Sequence, residues 1–264
     1  MIAESRRLTK AYMGKKAVKE VSIKICGGSI YGLLGPNGSG KTTWMKMMTG
    51  FVKPTQGEVI FDGAPWNYRA KNQVAYMSTE PFYYDFMNIG MVGKYYSDFF
   101  EGFDEKKFQE LVRKVGLSEE MKIRELSTGM MAKLKVIATL SRQALLYMLD
   151  EPLNGIDLKA RDEIVDVILT TTSEKNTVII STHLIEEIES IIDHAIYMKD
   201  GSVIYECDVE EERRCISDCS GCAGNEASGS IPDADSAGCL CNAGVCGGAS
   251  GETCGCGGRR IYRP

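Results

Sequence analysis

Residues 30–43 read IYGLLGPNGSGKTT, the stretch that is most informative about the fold. An apolar run at 30–34 leads into the pattern G-x-x-x-x-G-K-[ST], and the helix-forming run WMKMM follows. A strand, a glycine-rich loop and a helix start in this order form an anion site, because backbone N–H groups turn inward and the helix N-terminus adds partial positive charge. The residues predicted to bind the anion are Gly35, Pro36, Asn37, Gly38, Ser39, Gly40, Lys41, Thr42 and Thr43.

Two side chains of this loop predict which anion binds. Lys41 is placed to reach the β- and γ-phosphates of a nucleotide, and the Thr42 hydroxyl is placed to coordinate Mg²⁺. Glycine-rich turns also join strands to helices in proteins that bind no ligand there. Such turns do not need Lys-Thr at their end, so the presence of Lys41 and Thr42 favours a binding site. The sequence therefore predicts a site for a nucleoside triphosphate and Mg²⁺.

A pair of acids follows another apolar run, LLYML at 145–149. In a protein with a phosphate-binding loop, the first acid, Asp150, is expected to hold Mg²⁺ at the carboxyl edge of the sheet. The second, Glu151, can orient and deprotonate an attacking water. Acid pairs after strands also occur as helix caps, so the pair alone would not indicate a Mg²⁺ site. The prediction is made because the chain also contains the phosphate-binding loop at 35–43.

Hydrophobic patterning predicts an α/β fold. Apolar alternation or continuous apolar runs indicate strands at 18–25, 57–61, 74–77 and 177–182. Helical spacing marks 88–116 and 129–143. Strands that alternate with helices predict a parallel or mixed sheet covered on both faces, with a helical insertion in the middle. The first residues, IAESRRL, alternate poorly and predict only a weak strand.

Composition narrows the class of protein. The chain has 264 residues, 44% hydrophobic and 25% charged, with a formal net charge of −5, which is typical of a globular domain. An acidic chain without a local basic patch is not expected to bind nucleic acid. No run approaches the roughly 20 apolar residues of a membrane-spanning helix, and MIAESRRLTK does not resemble a signal peptide. We therefore expect a cytosolic protein.

The last 52 residues differ in composition from the rest of the chain. They contain eight of the ten cysteines and stretches such as CNAGVCGGASGETCGCGG. With so few large apolar residues, 213–264 are expected neither to fold nor to contribute to function. Three interpretations stay open: a metal-binding appendix built on the C-x-x-C pair Cys219 and Cys222, an oxidation-prone tail, and out-of-frame translation of a G/C-rich gene end.

Three further segments surround the acid pair in a fixed order. LSTGM at 126–130 precedes it, PLNGID at 152–157 follows it directly, and STH at 181–183 ends the run TVIIST. Together with the loop at 35–43, this succession resembles the ATP-binding subunits of ABC transporters over roughly residues 1–212. This order of motifs is highly specific, because ATPases of other families that have a phosphate-binding loop lack a segment like that at 126–130.

The resemblance implies roles for individual residues. Tyr12 would stack on adenine, Glu151 and His183 would act in hydrolysis, and Asp157 would belong to a loop that communicates between two sites. The signature segment would contact the γ-phosphate bound to a second subunit, and its residues are Leu126, Ser127, Thr128, Gly129 and Met130. Two chains, identical or related, would then enclose two ATP molecules head to tail.

The chain also departs from the family pattern. The loop after VAYM reads STEP at 78–81, where the family has a glutamine, and Thr79 aligns best with that position. Thr79 is therefore predicted to join Thr42 and Asp150 as a metal ligand, with Glu80 as an alternative oxygen donor. In the signature segment, a threonine and a methionine replace the commonest glycine and glutamine, which resembles export-type members.

Aromatic side chains are concentrated in residues 82–100. One interpretation is that they form the core of the helical insertion. The other is a surface groove that receives a short helix of a membrane subunit, since aromatic residues are favoured at interfaces.

The predicted fold is an α/β P-loop NTPase core with a mixed sheet, a small N-terminal antiparallel β subdomain and an inserted helical subdomain at about 85–145. Residues 1–212 would form this nucleotide-binding domain. The predicted function is ATP hydrolysis that powers transport, with efflux favoured, by a separate permease at the cytoplasmic face of the membrane. One alternative is an ATPase that acts on ribosomes or DNA. The chain has only one phosphate-binding loop, whereas ribosome-acting members resemble two such domains, and it has no room for the long coiled coils of DNA-acting members. The other alternative is a slowly hydrolysing regulator, which the presence of Glu151 and His183 disfavours.

Overall fold

A computed structural model describes residues 1–80, 83–173 and 175–212. The predictions made for residues 213–264 lie outside the described residues. Phe82, one of the residues in the aromatic stretch, also lies outside them.

Ten strands form two sheets within the described residues. The strands are β1 (Ala3–Tyr12), β2 (Lys15–Ile25), β3 (Ile30–Leu34), β4 (Gln56–Phe61), β5 (Ala64–Pro65), β6 (Val74–Met77), β7 (Leu146–Asp150), β8 (Thr177–Thr182), β9 (His194–Lys199) and β10 (Ser202–Asp208). The smaller sheet is antiparallel, in the order β2-β1-β4-β5, and the larger has the order β10-β9-β3-β8-β7-β6. In the larger sheet β10 is antiparallel to β9 and the other pairs are parallel, so the sheet is mixed as predicted.

Six α-helices complete the described part of the chain. They are α1 (Lys41–Met48), α2 (Ala70–Gln73), α3 (Ile89–Phe99), α4 (Glu105–Lys114), α5 (Thr128–Leu140) and α6 (Leu158–Thr171). The helices α3, α4 and α5 lie between β6 and β7, where helical spacing predicts an insertion. Among the described residues, none of the helices has the length and apolar character needed to cross a membrane.

The larger sheet separates two hydrophobic clusters. Leu146 and Met148 of β7 belong to the cluster that also contains Trp44 of α1 and the inward side chains of the smaller sheet. Tyr147 and Leu149, the alternate residues of the same strand, belong to the cluster formed with α3, α4, α5 and α6. Because successive side chains of a strand point to opposite faces, a continuous apolar run is what a strand buried on both faces requires.

The expectation of a weak first strand is wrong. β1 pairs with β2 on one side and with β4 on the other. Arg6 and Arg7 are both exposed, Leu8 is buried, and the register with β2 shifts between Ser5 and Leu8. Arg7 also has a φ of 47°. An extra residue in one strand of an antiparallel pair breaks the alternation without ending the strand.

The hairpin of β9 and β10 is an addition to the predicted strands. Asp200 and Gly201 join the two strands with φ values of 51° and 84°, as a two-residue turn with two positive φ angles requires. β9 then pairs in parallel with β3. The hairpin therefore extends the sheet on the side of the strand that enters the loop at 35–43.

The aromatic stretch divides between core and surface. Tyr96 is buried, and its ring lies 5.2 Å from that of Phe100 and 5.5 Å from that of Phe103. Tyr84 and Phe86 are exposed and stack on each other at 5.5 Å. The core interpretation therefore describes Tyr96 and its neighbours, and docking of a membrane subunit stays a prediction for the exposed pair.

Candidate functional site

The backbone of the loop at 35–43 has a conformation that only glycine adopts easily. Gly35, Gly38 and Gly40 have φ values of 142°, 80° and 105°. A Cβ atom on Gly35 would lie 2.1 Å from the carbonyl oxygen of Met198, and one on Gly40 would lie 2.6 Å from that of Ala17. The positive φ angles therefore favour glycine at all three positions, and the close approach of neighbouring backbone requires it at Gly35 and Gly40.

Lys41 lies inside this loop as the first residue of α1. Its side chain is buried, and Nζ donates to the carbonyl oxygens of Gly35 at 2.6 Å and Pro36 at 3.3 Å. Nζ also lies 3.4 Å from Oε1 of Glu151. The Ser39 hydroxyl is buried and has no hydrogen-bond partner among the described residues. A buried hydroxyl without a partner is unfavourable, so this atom points to a polar ligand in the loop.

Asp150 is completely buried at the end of β7 and accepts four hydrogen bonds from hydroxyl groups. Thr42 and Ser181 donate to Oδ1 at 3.0 and 2.7 Å. Tyr76 and Thr79 donate to Oδ2 at 3.0 and 3.1 Å. The strand order explains this arrangement, because β6 and β8 flank β7 and bring their carboxyl ends to the same edge. The structure thus brings the predicted metal ligands Thr42, Asp150 and Thr79 together.

Glu151 and His183 form the next layer of the same edge. Glu151 has a φ of 48°, and its N–H donates to the Ser181 hydroxyl at 2.9 Å. His183, which follows β8, places Nδ1 3.0 Å from Oε2 of Glu151. A positive φ at a non-glycine residue is uncommon and concentrates at functional sites. Lys41, Asp150, Glu151 and His183 therefore converge, and we call this cluster with the loop at 35–43 the phosphate site.

The signature segment and Asp157 meet at a second place. Ser127 caps the N-terminus of α5, where its Oγ accepts from the Met130 N–H at 3.3 Å. Asp157 caps α6 and accepts from the Ala160 N–H at 2.9 Å, a bond that lowers the pKa of its carboxyl group. A Cβ on Gly129 would lie 3.2 Å from Cβ of Ala160. Two helix N-termini thus meet at what we call the signature site.

A pocket opens at the signature site and is separate from the phosphate site. Ser127, Gly129 and Met130 line it together with Lys133 and Asp157, and no residue of the loop at 35–43 takes part. Of the other signature residues, Leu126 packs against the helical core and Thr128 begins α5. The structure therefore does not bring the signature segment to the phosphate site of the same chain.

Tyr12 stands apart from both sites at the end of β1. Its ring is 47% exposed, and Nζ of Lys10 lies 5.1 Å from the ring centroid. An exposed ring with a cation on one face is a suitable stacking surface. The role predicted for Tyr12 stays a prediction.

Two residues beside the phosphate site were not anticipated. Tyr76 donates to Asp150, and burial raises the pKa of its hydroxyl well above the ordinary value. Nζ of Lys135, on α5, donates to the main-chain oxygen of Thr79 at 2.5 Å, and burial lowers the pKa of this ammonium to about 8. The sequence signal was indirect: Tyr76 lies in a strand next to β7, and Lys135 stands between the apolar residues Leu134 and Val136 of α5.

Comparison with known proteins places the chain in one family. Residues 18–154 match the family model of ABC transporters. The ABC transporter ATP-binding protein YcbN of Bacillus subtilis is 34% identical over 218 residues, which cover 80% of this chain and 71% of YcbN. The lantibiotic transport ATP-binding protein SrtF of Streptococcus pyogenes is 32% identical over 203 residues, which cover 76% of this chain and 88% of SrtF.

The fold agrees with solved structures of the same kind. The dimeric structure of MJ0796, a bacterial ABC transporter cassette, superposes with a TM-score of 0.70 at 22% identity, over 79% of this chain and 99% of that one. This likeness confirms the predicted fold class, and the matched family model and relatives confirm the resemblance stated from the motifs. The chain therefore belongs to the ABC transporter family, as one of its ATP-binding ATPase subunits.

Proposed function

We propose that the chain hydrolyses ATP at the phosphate site and thereby powers transport by a separate membrane permease. The observation that carries this proposal is the convergence of Lys41, Asp150, Glu151 and His183 beside the loop at 35–43. The loop supplies N–H groups and Lys41 supplies a positive charge for the phosphates. The unpartnered hydroxyl of Ser39 supports a polar ligand at this place.

Mg²⁺ fits the residues beside the phosphates. The hydroxyl of Thr42 and the carboxylate of Asp150 lie 3.0 Å apart, and hard oxygen donors of this kind are what Mg²⁺ prefers. Thr42 and Asp150 would hold the ion directly or through water, with Thr79 as a further oxygen donor. When bound, Mg²⁺ neutralises charge that develops on the phosphate oxygens.

Glu151 is the general base of the proposed hydrolysis. Its carboxylate is held between Nζ of Lys41 and Nδ1 of His183, so it has little freedom to turn away. A carboxylate in this position orients a water and accepts its proton, while His183 keeps Nε2 for the γ-phosphate. The positive φ of Glu151 directs the side chain out of the strand toward this place.

Two copies of the chain form the active unit. The signature site presents Ser127, Gly129 and the N-terminus of α5, which suit an anion, yet these residues share no pocket with the loop at 35–43. A second chain arranged head to tail would place its phosphate site there. Asp157 lines the same pocket as Ser127 and Gly129 and would sense occupation of that site.

Transport and its direction rest on the relatives. SrtF is a lantibiotic transport protein by name, and the pattern of the signature segment resembles export-type members, so we assign efflux and a peripheral position at the cytoplasmic face of the membrane. The exposed side chains of Tyr84, Phe86 and Phe99 offer a surface to the permease. Aromatic residues are favoured at the centre of such interfaces.

Co-expression with a permease encoded beside the chain's own gene tests the proposal. We expect joint purification in detergent and faster ATP hydrolysis than by the chain alone. The control is Tyr84→Ser with Phe86→Ser, which should weaken joint purification and leave the hydrolysis of the isolated chain unchanged. ATP hydrolysis that responds to ribosomes or DNA but to no membrane protein would overturn the transport function.

A further inference from the structure

Lys135 is a charged residue in an apolar part of α5. Its neighbours Leu134 and Val136 are fully buried, and Lys135 itself is half-buried. Among the described residues no carboxylate forms an ion pair with its ammonium; Nζ instead donates to the main-chain oxygen of Thr79 at 2.5 Å. Partial burial of an ammonium is unfavourable unless a specific contact compensates it. The contact with Thr79 therefore accounts for a lysine at this position.

Thr79 carries this contact on to the phosphate site. Its hydroxyl donates its one hydrogen to Oδ2 of Asp150 at 3.1 Å. Its main-chain oxygen accepts from Nζ of Lys135. The segment after β6 is thus held from two sides, by Asp150 of the core and by Lys135 of the helical insertion.

The same helix connects Lys135 to the signature site. Ser127 caps α5, and Lys135 lies about two turns later on that helix. A displacement of α5 would therefore pull on the Thr79 carbonyl and alter the hydrogen bond to Asp150. Two hydrogen bonds lead from the signature helix to the carboxylate of the phosphate site in the same chain.

We propose that Lys135 is a positioning residue that fixes the main chain at Thr79 and thereby ties the signature helix to Asp150. This inference rests on the proposed function, in which Asp150 acts at the phosphate site. Lys135 touches neither nucleotide nor metal; it acts through Thr79. The side chain of Thr79 is too short to hold the segment after β6 by itself. Nζ of Lys135 on α5 therefore supplies a second hydrogen bond, to the main chain of that segment.

The test compares Lys135→Met, Lys135→Arg and the control Lys107→Met in the full chain without membrane partner. Lys107, on α4, is also half-buried, and burial lowers the pKa of its ammonium too. We expect Lys135→Met to lower kcat about tenfold with KM within about twofold, the size of effect that loss of one charge-assisted hydrogen bond produces. Lys135→Arg keeps a cationic donor and should restore kcat to within about threefold.

A second measurement does not depend on activity. Amide hydrogen exchange of Thr79 and Glu80 in the nucleotide-free chain should accelerate about tenfold in Lys135→Met and stay unchanged in Lys107→Met. If the parent chain hydrolysed no ATP, the proposed function would be rejected. The exchange measurement would still test the role of Lys135, because it does not depend on ATP hydrolysis. If Lys135→Met did not fold, Lys135→Gln, which keeps an N–H donor without charge, would take its place.

Two results would overturn the proposal. The first is unchanged exchange at Thr79 in Lys135→Met. The second is a lowered melting temperature with unchanged kcat in both Lys135→Met and Lys135→Arg, because Lys135 would then be a structural residue only.

Discussion

The phosphate site and the signature site differ in how many of their polar groups form hydrogen bonds within one chain. Asp150 is completely buried and accepts four hydrogen bonds, and the side chain of Lys41 is held by two carbonyl groups. At the signature site, Ser127 and Asp157 are exposed, and within the described part of the chain their side chains accept from N–H groups of the helices that they cap. The first site is therefore organised by its own chain, whereas the exposed polar groups of the second are what the proposed head-to-tail pairing of two chains would require.

The largest effect is expected from Glu151→Gln at the phosphate site. The amide keeps the shape but cannot accept a proton from water, so kcat should fall by about 10²- to 10⁴-fold while ATP still binds. Because ATP persists, the variant should accumulate as a dimer. Phosphate release and light scattering measure the two effects. Glu110→Gln, on the exposed face of α4, is the control, and turnover of Glu151→Gln within about twofold of the parent would reject its role as base.

Lys41→Ala should act on binding instead. Removing a charge-assisted donor from a buried loop is expected to weaken ATP binding about 10- to 100-fold, since such bonds contribute about 1.5–3 kcal/mol. Calorimetric titration with ATP measures the loss, and Lys46→Ala on the same helix serves as the matched control. Equal ATP affinity in the parent and in Lys41→Ala would contradict the assignment of the loop.

A mixing experiment addresses the division between the two sites directly. Lys41→Ala damages only the phosphate site, and Ser127→Arg blocks only the signature site, so each homodimer should be inactive. In a 1:1 mixture half of the dimers are mixed, and each of these contains one site assembled from undamaged halves. ATPase activity should therefore return to about a quarter of the parent value. If both sites lay in one chain, the mixture would show only the average of the two inactive variants.

The same contrast separates what the sequence predicts from what it does not. The strands β3 and β6 end where their apolar runs end, and the predicted site residues Gly35, Thr79 and His183 lie within two residues of the ends of β3, β6 and β8. A strand buried on both faces leaves little ambiguity in its ends, which explains this success. The family pattern supplied the signature segment, which propensity alone would not have singled out.

The unpredicted features depend on neighbours that are distant in sequence. β1 was underestimated because the bulge at Arg6 and Arg7 disrupts its alternation, although pairing on both sides stabilises it. The hairpin turn at Asp200 and Gly201 is a recognisable signal, but its parallel pairing with β3 is set by the sheet. The contact of Lys135 with Thr79 joins residues 56 positions apart, and no local pattern encodes it.

The smallest effect is expected from Thr79→Gln, because this substitution changes only one of the hydrogen bonds to Asp150. Thr79 supplies one of four hydroxyl donors to Asp150, and a glutamine can also donate to that carboxylate. We expect ATP hydrolysis by the isolated chain to stay within about threefold of the parent. Stimulation by the permease should increase, because the substitution restores the amide that the family pattern has at this position.

Thr79→Val is the matched control, since it keeps the branched shape and removes the hydroxyl. Asp150 would then lose one donor, and a net hydrogen bond of about 1 kcal/mol corresponds to about a fivefold loss of kcat. Thr79→Gln should therefore be more active than Thr79→Val. The opposite order would show that the hydroxyl itself, rather than any donor, is required, and loss of folding or of ATP binding in Thr79→Gln would contradict the alignment of the loop after β6.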